Sequence, residues 1–177
     1  MLSILFADAT SFGQIKTKPT LEQTINWIVE KLNSYSTDYR VNSGEDYYTD
    51  YQNYKFSYDD NKKVIVVSYK TTTYQRHVRP LVGPDISTKY IPVNIINKIE
   101  YEKRLSDPIL SSEIYTEYLV IAVFGKSITS ADDKDNNYAT SSIEFPFMFD
   151  KEDNLLNRMK KAFADLKSYF PQKKEAY

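Results

Sequence analysis

Period-two alternation of apolar and polar side chains governs this chain from about Tyr51 to Phe149. That period puts successive side chains on opposite faces of a pleated strand, so it constrains the fold more than any other feature. Tyr54, Phe56 and Tyr58 alternate with Lys55 and Ser57. Asp59-Asp60-Asn61-Lys62 is turn chemistry. The run Lys63 to Tyr74, KVIVVSYKTTTY, is dense in β-branched residues and makes a hairpin with the strand before it. Arg76 to Asp85 contains Pro80, Gly83 and Pro84 and is expected to be loop. Lys89 to Val93 is a short strand with Pro92 at its edge, and Lys98 to Lys103 alternates until Ser106-Asp107-Pro108 breaks it. EIYTEYLVIAVF, Glu113 to Phe124, is the most apolar segment and predicts a central strand ending at Gly125. Lys126 to Ser130 extends or re-pairs it. Ser141 to Phe149 places Ile143, Phe145, Phe147 and Phe149 on one face, with Pro146 marking an edge or a bulge.

Two helical periods bracket these strands. Thr20 followed by Gln23 is a capping box, and Leu21, Ile25, Ile28 and Leu32 recur on one face to about Asn33 or Ser34. At the other end Asp150 is the expected cap. Leu155, Leu156, Met159, Ala162, Phe163, Leu166, Tyr169 and Phe170 then form an apolar stripe that Pro171 stops. The expected architecture is α+β: an N-terminal helix, six to seven antiparallel strands in a strongly bent sheet or barrel, and a C-terminal capping helix. An arm or signal-peptide remnant over 1–18, one domain over 19–170 and a polar tail over 171–177 complete the division.

The strand series with one closing helix resembles the pleckstrin-homology-like superfamily. Ile91 to Tyr101 is similar to the strand–turn–strand passage of its bacterial members, and Phe145 to Phe149 leading into Leu155 to Phe170 to their last strand and closing helix. The resemblance implies a barrel plugged at one end by the final helix. A plain sheet with both helices on one face is the alternative. At the N-terminus, Met1 to Ala7 is apolar and Ala7-Asp8-Ala9 has the small-x-small form of a cleavage site. Ser11-Phe12-Gly13-Gln14 resembles the ends of signal peptides from Bacteroidota, which implies a small exported or periplasmic protein. Read instead as an N-terminal strand or arm, the same segment implies a cytoplasmic one.

Composition narrows the function. The net charge of −1 argues against a nucleic-acid binder that works through an overall basic field. The chain has no cysteine, which excludes disulfides, thiol catalysis and thiolate metal sites. No apolar run approaches the roughly 20 residues that span a bilayer, although contact with a membrane surface needs no such run. No cofactor motif is present, and the single histidine has no Ser-Asp partner in a catalytic spacing, so an enzyme is not expected. Tyrosine is the outlier, at 16 residues against 1 tryptophan. Its ring packs while its hydroxyl stays wet, which suits strands and adaptable protein-binding surfaces alike.

Three stretches carry binding chemistry. Tyr47, Tyr48, Tyr51 and Tyr54 lie among Asp, Asn and Thr and are expected to contact a protein or peptide partner, which is the leading functional expectation. Lys70, Arg76, His77 and Arg79 form a basic group suited to an anionic small ligand or lipid headgroup. Asp133, Asp135, Asn137 and Glu144 reproduce part of a calcium-loop spacing, with Tyr138 where the turn needs glycine; a strand-connecting turn is the commoner origin of such a run.

Overall fold

The computed structural model describes residues 18–42, 46–75, 80–105, 115–131 and 139–170. The expected signal peptide, Arg76, His77, Arg79, Asp133, Asp135 and Asn137 lie outside them.

Helix α1 spans Leu21–Tyr35. Its start is the expected capping box: the Gln23 amide donates to Thr20 Oγ1 at 3.1 Å and the Thr20 amide to Gln23 Oε1 at 2.9 Å. Ile25, Ile28 and Leu32 are buried along one face. Strand β1 (Tyr39–Asn42) follows, then the long hairpin of β2 (Tyr47–Asp59) and β3 (Val64–Gln75), then β4 (Pro80–Pro92). After a 3-10 turn come β5 (Ile96–Leu105), β6 (Tyr115–Val123), the two-residue β7 (Thr129–Ser130) and β8 (Ser142–Pro146). Helix α2, Leu155–Ser168, closes the described chain.

All pairings are antiparallel, in two sheets. The larger has the order β1-β2-β3-β4-β7 and the smaller β5-β6-β8, so β6 is central and β8 an edge, as the alternation and Pro146 imply. The described strands close no barrel. The sheets are instead stitched where α1 leads into β1. The Thr37 amide donates to the Pro146 carbonyl at 3.1 Å, the Met148 amide to that of Tyr35 at 2.9 Å, and Ser36 bridges Phe147. One contiguous core lies between, drawing Ile28 and Leu32 from α1, Phe56, Ile65, Val67 and Ile91 from the larger sheet, Leu119, Ile121 and Phe145 from the smaller, and Met159 and Phe163 from α2.

Three expectations need correction. The stretch before Asp85 is not all loop, because β4 begins at Pro80. Pro80 and Pro92 end the strand, and Pro84 falls where pairing to β3 slips between Asp85 and Val82, so the missing N–H groups cost the ladder little. Lys126 to Ser130 does not prolong β6; β7 leaves it to pair with β4. The last helix starts four residues late. Asp150 sits in a 3-10 turn, Phe149–Lys151, and Asn154 is the cap residue, at φ 56°. Asparagine tolerates that left-handed backbone better than most residues.

The side chain of Glu152, in this lead-in, ties the two helices together. It accepts from Lys31 Nζ, Tyr35 OH and Arg158 Nη1, each at 2.6 Å. These donors, Lys31 first, pull its carboxyl down from 4.5 to about 2.

Candidate functional site: the outer face of the larger sheet

A bulge decides which tyrosines reach this surface. Between Gln52 and Lys55 strand β2 uses one more residue than β3, and Asn53 takes φ 57°. The extra residue shifts the alternation by one. Tyr47, Thr49 and Tyr51 before it therefore share the inner face with Tyr54, Phe56 and Tyr58 after it. The bulged edge is held from outside β2: the Asn53 amide donates to Asp38 Oδ1 at 2.8 Å. Asn33 makes two 2.9 Å bonds to the backbone N–H and C=O of Phe56, as a neighbouring strand would.

The four tyrosines expected at one binding stretch are thus divided. Tyr51 and Tyr54 belong to the inside. Tyr51 stacks on Tyr39, with centroids 4.7 Å apart, and Tyr54 packs on Tyr69 and Phe145. Burial pushes the Tyr39, Tyr54, Tyr69 and Tyr118 hydroxyls above the ordinary phenol range. Tyr47 is exposed at the rim of the same face. Of the four, Tyr48 alone is on the outer face.

There Tyr48 stacks on Tyr74 of β3, its register partner, with centroids 4.8 Å apart and planes 15° from parallel. The Arg40 guanidinium lies 4.0 Å over the Tyr48 ring. Its Nε and Nη2 hold both carboxylate oxygens of Asp50, at 2.6 and 2.9 Å. Asp50 is only 8% exposed and Thr72, opposite it, 5%, whereas the Arg40 side chain is 56% exposed. The charge-assisted hydrogen bond to Asp50 raises the Arg40 pKa further. Lys70 stands on this face too, between Gln52 and Ile86, and Ile86 is 70% exposed. Farther along, Lys62 Nζ lies 5.0 Å over the Tyr90 ring. Among the described residues the contiguous core cluster takes no member from this face, although Val64 at its hairpin end is buried apart from that cluster.

The arrangement offers stacked aromatic and guanidinium contacts on one face of the sheet. It offers little acid–base chemistry, because the buried carboxylate of Asp50 is fully engaged by Arg40. Sequence reasoning missed Arg40, Asp50 and Tyr74. The alternation on either side of the Ser43-Gly44 turn signal was the available clue. The basic group is represented here by Lys70 alone, and the calcium-like group by Glu144. The Glu144 carboxylate faces the smaller sheet's surface and takes both Arg104 Nη1 and Nη2 at 2.7 Å. Among the described residues no three acidic or histidine side chains are grouped to hold a metal ion, and no helix is long and apolar enough to cross a membrane. Comparison with protein-family models, with curated proteins and with solved structures gives no match.

Proposed function

We propose that this chain is a non-enzymatic protein-interaction module whose partner docks on the outer face of the larger sheet. The observation that carries the reading is the Arg40–Tyr48–Tyr74 row, on a face that supplies no member of the contiguous core cluster. Aromatic and arginine side chains held rigid before binding lose little conformational freedom on contact, and they dominate measured interface energies. Lys55, Lys62 and Lys70 on this face favour a partner surface with an acidic rim.

Photo-crosslinking tests it. A benzoyl-phenylalanine placed at Ile86 is expected to trap a discrete protein adduct in the native source, and the same group at Lys160 on α2 is not. Substituting Tyr48→Ala and Tyr74→Ala together removes the adduct. Equal trapping from both positions, or trapping that survives the double substitution, overturns the reading. Salt-sensitive binding to anionic liposomes that Lys70→Ala abolishes would move the function to the alternative of an anionic ligand.

A further inference from the structure

On another side of the molecule, α1 and α2 leave a groove of about 430 Å³ between them. That size suits a small ligand, for which sites run from roughly 300 to 1,000 Å³. Pro19, Trp27 and Ala162 supply its apolar lining, and Gln23, Arg158 and Lys161 its polar part, with Asp165 beside them.

The hydrogen-bonding capacity of this lining is lopsided. Glu152 occupies Arg158 Nη1, and the guanidinium's Nε and Nη2 have no other protein partner among the described residues. The Trp27 indole N–H likewise has no acceptor among them. Lys161 meets only Asp165, at 3.4 Å, and its side chain is 75% exposed. Gln23 spends its carbonyl on the Thr20 amide, which leaves its two N–H donors. Against these donors the groove sets the single carboxylate of Asp165. The Trp27 ring also has cations near it, Arg158 at 5.3 Å and Lys31 at 5.9 Å from its centroid. An apolar wall beside unfilled cationic donors is complementary to a flat apolar body that carries one negative charge.

We propose that this groove binds a small aryl carboxylate, its ring against Trp27 and Ala162 and its carboxylate on Arg158 and Lys161. The occupant is a small molecule, so the groove works independently of the protein-docking face.

The chain's one tryptophan makes the test direct, because its indole N–H gives a single proton–nitrogen resonance in the full chain. Titration with 2-naphthoate is expected to shift that resonance saturably. The neutral 2-naphthamide and the Lys161→Gln variant should each bind about two- to fivefold more weakly, the scale of one exposed ion pair. Ala162→Leu fills the groove and should abolish the shift while the remaining amide spectrum stays as in the parent. If that variant unfolds, the naphthamide and Lys161→Gln comparisons decide instead. An indole that does not respond, an Ala162→Leu protein that binds like the parent, or naphthamide binding as tightly as naphthoate overturns the proposal.

Discussion

The tyrosine rings buried between the two sheets resist ionisation, and pH should reveal it. Tyr39, Tyr54, Tyr69 and Tyr118 are held neutral by burial, so their folded pKa values lie above the unfolded value near 10. A raised pKa contributes stability that is whole below pH 10 and is lost as pH rises through the folded values. Spectrophotometric titration should therefore show a phase above pH 10 that coincides with unfolding. One smooth transition near pH 10 for all 16 tyrosines would contradict the buried cluster. Phe145 is the other decisive residue. It is fully buried, 4.9 Å from Phe56 and 6.0 Å from Tyr54 between ring centroids, so it is where the smaller sheet meets the larger. Phe145→Ala should cost about 3–5 kcal/mol in urea unfolding, as large-to-small changes in packed cores do. A cost under about 1 kcal/mol would mean that the ring packs far more loosely than described.

At the scale of elements, the bulge in β2 and the cap of α1 invite opposite kinds of test. Deleting Asn53 restores strict alternation and turns Tyr47, Thr49 and Tyr51 toward the outer face, away from Tyr39 and Tyr69. The deleted protein should lose the near-ultraviolet circular dichroism of the stacked rings, or fail to fold. A native spectrum would show that the bulge can migrate. Thr20→Ala removes one cap hydrogen bond and should destabilise by about 1 kcal/mol, read as a shifted urea midpoint. Elements were legible in the sequence where local rules decide them. The capping box, the Asp59 to Lys62 hairpin, the central position of β6 and the edge position of β8 all follow from spacing and turn residues. What escaped depends on long-range partners. The start of β4 is strand because β3 is there to pair with it, Pro84 notwithstanding. The start of α2 is displaced to Leu155 while Glu152, just upstream, binds Lys31 and Tyr35 of α1. Which of the expected tyrosines face outward was hidden for a related reason, since one residue of excess backbone at Asn53 reverses the faces of Tyr47, Tyr48 and Tyr51 relative to Tyr54.

For the whole molecule, acid should loosen the joint between the helices. The Glu152 side chain is 20% exposed and its pKa is depressed, so its contribution is present above about pH 4.5 and is lost as pH falls toward 2. Glu152→Gln should lower stability at pH 7 and flatten the loss between pH 4.5 and 2, followed by thermal melts across that range. An unchanged acid profile would place the sensitivity elsewhere. The same joint has a bearing on biosynthesis. Lys31 and Tyr35 find Glu152 121 and 117 positions later in the chain. Ser36 and Thr37 likewise wait for Pro146 and Phe147. A nascent polypeptide can wind α1 and zip the β2–β3 hairpin early, and Phe56 of that hairpin can cover part of α1, but the rest of its apolar side stays open until the last strand and helix have left the ribosome. Contacts so distant in sequence make for slow maturation, with a half-covered greasy helix throughout it.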